Sequence, residues 1–228
     1  MSLYWILFIG IAILSYAVQA TLQSRMNKYA QIPIDGGLTG RDVAERMLRE
    51  NGIFDVQVTH IPGTLTDHYD PQKKTVNLSD FVYGSNSVAA AAVAAHECGH
   101  AVQHATAYRW LTMRSKMVPM VQIGSKWSQW ILLAGMIILG FSAFLGRWIL
   151  FVGIALFALT TLFSIITLPV EYNASARAVA WLDQTGMTNG QENEQVKDAL
   201  KWAARTYLIA ALSSLATLLY YISIMNRR

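Results

Sequence analysis

The sequence predicts a mainly α membrane protein: four transmembrane helices and a small α+β domain with a short β-hairpin and an edge strand. Three observations predict it. The 228 residues are 54% apolar and only 14% charged, whereas soluble domains carry about 25% charged residues. Four long apolar runs recur along the chain, each near the length of a bilayer span. Between the first two runs the pattern changes to helix-period and strand-period segments with turn formers between them. The net charge of +4 sits on no continuous basic stripe, which argues against a nucleic-acid partner. The single cysteine, Cys98, excludes an internal disulfide.

The first run, Leu3 to Ala20, is about 18 residues without a charge. It has no basic leader and is too long for the apolar core of a cleaved signal, so it reads as transmembrane helix 1 (3–20). A membrane-proximal region follows (21–127). Thr39 and Asp42 form a capping-type start for an amphipathic helix that buries Val43, Met47 and Leu48 and stops at Gly52. Asp55 to Ile61 alternates like a strand. Thr64–Tyr69 and Thr75–Leu78 read as a hairpin joined through Asp70-Pro71-Gln72-Lys73-Lys74. Such an edge strand could align an extended peptide by main-chain pairing. Ser87 is the expected N-cap of a helix over 87–106 whose alanines permit close packing.

Arg114, Lys116 and Lys126 lie in a polar connector that Pro119 breaks. Two further spans follow, 130–145 and 148–168, parted at Gly146-Arg147 as a tight helical hairpin. Trp127, Trp130 and Trp148 stand at their ends, where interfacial aromatics collect. Pro169 ends or kinks the second arm. The stretch 169–203 reads as another helix, a polar loop over Asn189–Asn193, and the start of a last helix near Glu194. That helix becomes the fourth span (204–225), closed by Arg227-Arg228.

The helix over 87–106 contains His96-Glu97-Cys98-Gly99-His100. Residues four apart share a helix face, about 6 Å apart along the axis. His96 and His100 can therefore ligate one zinc ion. Glu97 can take a proton from a water that the zinc acidifies, the metalloprotease arrangement. Cys98 points away from that face and reads as packing. Catalytic zinc wants a third protein ligand and one open position. His104 is eight residues from His96, about 12 Å along the axis, so it cannot join His96 on one ion and reads as a second layer or packing residue. The HExxHxxGxxH pattern fails at Gln103 and Thr106. Glu171, just after a span, is a candidate third ligand. The competing reading is an acid at a helix N-terminus that favours the dipole. Ser175, one turn on, could hydrogen-bond a ligand histidine. His68 is either an oxyanion-stabilising or ligand-shell residue or an exposed strand histidine.

Leu65-Thr66-Asp67-His68-Tyr69-Asp70-Pro71, Ala94-Ala95-His96-Glu97-Cys98-Gly99-His100-Ala101 and Leu168-Pro169-Val170-Glu171-Tyr172-Asn173-Ala174-Ser175 together resemble the YugP-like membrane zinc metallopeptidases. That family is similar to the gluzincins, including the HtpX-like membrane proteases. The resemblance covers nearly the whole chain. It implies a zinc-metallopeptidase domain with His96, His100 and Glu171 as Zn2+ ligands and Glu97 as general base. Gluzincins often carry Asp four residues after the third ligand, where this chain has Ser175.

The expected function is a membrane-embedded zinc endopeptidase acting on membrane or membrane-proximal proteins. The alternative is a non-catalytic zinc-binding scaffold that works through partners. The bilayer and a peptide or membrane-protein substrate are the expected partners, with other membrane proteins or a homo-oligomer beside them. Four spans put 15 of the 18 Lys and Arg on the zinc side. The membrane-proximal Arg25, Lys28, Lys126, Lys201 and Arg205 favour a cytoplasmic zinc side of a bacterial-type cell membrane. The spans carry no ionisable residue in their central parts, which speaks against a transporter.

Overall fold

The computed structural model describes residues 2–226. Arg227 and Arg228, which enter the charge count above, lie outside the described residues. In chain order the elements are α1 (Ser2–Tyr29), α2 (Gly40–Glu50), β1 (Gln57–Ile61), β2 (His68–Asp70), β3 (Thr75–Ser79), α3 (Asp80–Tyr83), α4 (Val88–Ala105), α5 (Arg109–Leu139), α6 (Ala143–Gln184) and α7 (Gly190–Asn226). The chain divides into two compact units.

One unit comprises Ala17–Leu111 and Pro169–Thr206. Its centre is α4, whose Ala89–Ala92, Ala94, Ala95, Cys98 and Ala101 are buried. Small side chains on most of its circumference let α2, α3 and the sheet approach closely. Ser87 starts α4, its hydroxyl accepting from the Ala90 N–H at 3.2 Å, and so satisfies one of the free donors of the first turn. On α2 the Thr39 hydroxyl and the Asp42 carboxylate satisfy each other's backbone N–H in a full capping box. The Thr39 hydroxyl and the Thr39 N–H both donate to the Asp42 carboxylate, at 2.6 and 2.9 Å, and hold that carboxyl below its ordinary value. Val43, Met47 and Leu48 of α2 are buried against α4, as their helical spacing requires. Gly40 sits so close to Val82 O that a Cβ would collide with it, which fixes α2 against α3.

The three strands pair in the order β1-β3-β2. β2 and β3 are antiparallel, with Tyr69 opposite Val76. Their turn is closed by Asp70, whose carboxylate accepts from the Gln72 and Lys73 N–H groups at 2.9 and 3.1 Å. β1 runs parallel to β3. Val76 and Leu78 are buried while Thr75 and Asn77 are half-exposed, the period-2 pattern of a sheet with one face on a core. β2 is thus an edge strand, and it packs on α4.

The other unit holds the described residues of Met1–Tyr16, Thr112–Leu168 and Tyr207–Arg228. Here the expected hairpin differs in register. The segment 130–145 is not a helix of its own. Its first ten residues are the end of α5, and the chain turns at Gly140-Phe141-Ser142, with Ser142 O accepting from Gly146 N at 2.9 Å. Gly146 is inside α6, where a Cβ would collide with the Leu139 backbone. The glycine that reads as a chain break is instead the contact that lets the two helices close. The pairing continues along their length, with Gly135 against Leu150, Gly153 against Leu132 and Gly124 against Leu156. α5 and α6 therefore run antiparallel in close contact. α7 packs on α6 through a Thr161–Ser214 hydroxyl pair at 2.7 Å and Phe157–Tyr221. Tyr4 and Phe8 of α1 rest edge-on against Tyr220.

Other boundaries also move. Pro119 lies inside α5 and Pro169 inside α6, so neither proline ends a helix. The α7 helix starts at Gly190, four residues before Glu194. Asn189 caps it, accepting from the Gln191 and Glu192 N–H groups at 3.0 Å each. By length and composition, three helices among the described residues are apolar enough to cross a membrane: Tyr4–Tyr29, Ala143–Gln184 and Gly190–Asn226. α5 is not among them. Its polar first two-thirds dilute the apolar end that the sequence offers as a separate span.

Candidate metal centre

Two helices build the centre, and one glycine lets them meet. Gly99, between the two histidines of α4, lies against the backbone of α6. A Cβ there would stand 2.7 Å from Ala174 O. This contact brings the face of α4 carrying His96 and His100 onto the face of α6 carrying Glu171 and Ser175. Glu171 Oε2 is 3.3 Å from His96 Nε2 and 3.6 Å from His100 Nε2. One donor atom from each of the three lies within 4.8 Å of the others. Among the described residues this is the cluster of His, Cys, Asp or Glu able to hold a metal ion. Glu171 and His100 are buried, at 2% and 8% exposure. The sequence predicts this convergence across more than 70 residues.

The far nitrogens of both imidazoles are held. Ser175 Oγ is 3.1 Å from His96 Nδ1. Gln103 Oε1 is 3.1 Å from His100 Nδ1. The direction of the second bond follows from its neighbours. Arg177 Nε, which can only donate, donates to Asn173 Oδ1 at 2.8 Å. Gln103 Nε2 donates to the same oxygen at 3.0 Å and to Val170 O at 2.8 Å. The Gln103 carbonyl must then accept, so His100 Nδ1 carries a proton and Nε2 is the nitrogen turned to the cluster. Gln103 is fully buried. Sequence reasoning missed the relay Arg177–Asn173–Gln103. The signal available was position: Gln103 lies three residues after His100, on the neighbouring turn of the same face.

Burial favours the neutral form of His100, but the Glu171 hydrogen bond and the charges of Glu97 and Glu171 outweigh it. The His100 imidazole is thereby raised above its ordinary value. Glu97 lies alongside, and its Oε2 accepts from the backbone N–H of Tyr69 at 3.0 Å. The edge strand β2 thus reaches the residue next to His96, and Tyr69 does so with a main-chain group that depends on no side chain. Further along α4 the Tyr69 hydroxyl meets His104 Nδ1 at 2.9 Å. His104 is exposed and stands outside the cluster. His68 lies on the opposite face of β2 from Tyr69. It is exposed, with Nδ1 near Thr66 O at 2.8 Å and Nε2 near Asn77 Nδ2 at 3.2 Å, and it does not join the cluster. Cys98 is sealed in the core against Ala44 O, and burial pushes its thiol well above the usual range.

The donor set fits zinc: two imidazole nitrogens and one carboxylate oxygen, the three protein ligands that catalytic zinc takes. Nitrogen donors disfavour calcium and magnesium, which prefer all-oxygen shells. The class that this centre and the apolar helices define is a membrane protein with a zinc-peptidase-type site. The comparisons agree. The chain belongs to the neutral zinc metallopeptidases, the family described as "Putative neutral zinc metallopeptidase", which matches residues 4–226. It is 41% identical over 211 residues to "Putative membrane protease YugP" of Bacillus subtilis (strain 168), over 92% of this chain and 91% of that protein. No solved structure matches the chain.

Proposed function

We propose that this chain is a membrane-embedded zinc endopeptidase of the gluzincin type, cutting membrane or membrane-proximal proteins. The observation that carries this is the convergence of His96, His100 and Glu171 with Glu97 beside them. Zinc, when bound by those three residues, supplies Lewis acidity that polarises the scissile carbonyl and acidifies water. Glu97 takes the proton from the attacking water and delivers it to the leaving amine. The Tyr69 N–H holds one carboxylate oxygen of Glu97, which leaves the other to face the water. A substrate segment lies extended along β2, whose free edge adjoins Glu97. Ser175 and Gln103 keep the ligand imidazoles in one tautomer and orientation.

In this reading the membrane region has four crossings. α5 lies alongside α6 through the whole depth that α6 spans, so it crosses by packing although its own hydropathy falls short. Arg25, Lys28, Lys201 and Arg205 favour a cytoplasmic face for the catalytic domain. The alternative, a zinc-holding scaffold without catalysis, fits less well. Structural zinc sites are closed and cysteine-rich, whereas the one cysteine here is buried away from the cluster.

The test uses the full chain in detergent or vesicles, with span-anchored fluorogenic peptides as substrates. Zinc content and cleavage are measured before and after chelation and after zinc is restored. Cleavage falls to background with the zinc and returns with it, and Glu171→Ala lowers the zinc content. Cleavage that persists after the zinc is gone sinks the proposal. Gln103→Leu, which deletes the acceptor on His100, weakens zinc affinity by about 10–100-fold. Competition with a chelator of known affinity reads this loss, and Gln103→Glu, which keeps an acceptor, recovers part of it.

A further inference from the structure

The outer face of α5 carries Gln122, Ser125, Lys126 and Gln129, all exposed. Their spacing of three, four and seven residues places them in one stripe. The buried residues of α5, including Met117, Gly124, Ser128, Leu132 and Gly135, form the opposite face. The depth of the stripe follows from packing inside the helical unit. Gly124 is level with Leu156 and Thr160 of α6, and Leu132 is level with Gly153. Lys126 therefore stands level with residues 155–159, the middle of the apolar run from Trp148 to Leu168. At about 1.5 Å per residue that is roughly 15 Å from either end, half the thickness of a hydrocarbon core. Lys126, which the charge count treats as membrane-proximal, thus lies at mid-depth. Its ammonium rests over the Trp127 ring, 5.7 Å from the centroid.

A lysine flanked by two carboxamides at that depth is costly when it faces lipid. Such residues face other protein and pair with polar groups. We infer that this face of α5 docks a transmembrane segment of another protein that carries a carboxyl group near its own midpoint. Two features select that occupant. The stripe offers cationic and amide donors, which a carboxyl complements. A second copy of this chain has no acid to offer, since no Asp or Glu lies in residues 1–34, 98–170 or 199–228. A two-fold dimer through this face would also set Lys126 against Lys126.

The inference rests on the membrane reading of the chain and not on its peptidase activity. Retention in the membrane pellet after an alkaline wash checks that reading separately. For the docking itself, the full chain carries a fluorescent donor on a C-terminal tag and is reconstituted in phosphatidylcholine vesicles. The guests are single-span leucine-rich peptides bearing an acceptor, with Leu, Asp or Lys at the central position. Energy transfer shows the Asp guest associating between about threefold and thirtyfold more tightly than the Leu guest. The Lys guest does not exceed the Leu guest. Lys126→Leu brings the Asp guest down to the Leu level, while Leu133→Ala on the same outer face leaves it unchanged. Equal association of the Asp and Leu guests overturns the inference, as does an Asp guest indifferent to Lys126→Leu. Self-association of the chain that Lys126→Leu abolishes assigns the face to a second copy and overturns it too. So does loss of Asp-guest binding when phosphatidylglycerol is added, which assigns the stripe to an anionic headgroup.

Discussion

Glu97→Gln retains zinc at the wild-type stoichiometry and slows peptide cleavage by roughly 10²–10⁴-fold, the usual contribution of a positioned general base. The substitution is nearly isosteric. The glutamine carbonyl still accepts from the Tyr69 N–H, so the edge strand keeps its place, and none of the three candidate metal ligands changes. What is lost is the ability to take a proton. The measurement pairs metal content with the rate of cleavage on one preparation. Full zinc with lost activity separates Glu97 from its neighbours His96 and His100, whose replacement by alanine removes the metal. Undiminished cleavage by the zinc-loaded variant would mean that another group is the base. Zinc lost together with activity would place Glu97 among the ligands.

The second large effect is expected from a residue with no chemistry of its own. In Gly99→Ala the new methyl group would lie 2.7 Å from Ala174 O. That neighbour is backbone and cannot swing aside as a flexible side chain would. α4 and α6 must part, and the two helices carry opposite halves of the metal cluster. A displacement of about 1 Å in such a constellation costs on the order of 10²-fold in rate. Overpacking of this kind adds about 1–3 kcal/mol of destabilisation. Gly84→Ala is the control, since a Cβ there meets nothing within 4 Å. Cleavage rate, zinc affinity and equilibrium unfolding are measured for both variants. If Gly99→Ala matches the control in all three, the close contact between α4 and α6 is not what holds the cluster together.

The parts of this site legible in the sequence were those set by local periodicity. His96 and His100 share a face because they are four apart, and Glu171 and Ser175 do so for the same reason. The core face of α2 was legible on the same ground. What escaped was set by contact between distant segments. Spacing puts Gln103 one turn from His100, but its part as acceptor depends on Asn173 and Arg177, about 70 residues on. Gly146 looked like a break because glycine is permissive in turns. It serves instead as a place where two backbones touch, and the turn falls at Gly140-Phe141-Ser142. Pro169 read as an end or a kink of its arm, and α6 continues through it to Gln184. The polar face of α5 was invisible for a related reason. Hydropathy averages over a helix, whereas the depth of Lys126 is fixed by its neighbour α6.

The burial of Cys98 has a practical consequence. Its thiol is fully enclosed and held in the unreactive protonated form, so thiol reagents find no native target in the folded chain. A cysteine introduced at any exposed position is then the sole labelling site, with no need to replace the native one beside the candidate metal ligands. Maleimides that cannot cross a bilayer, applied to intact cells and to inverted vesicles, would read directly which face of the membrane each segment occupies.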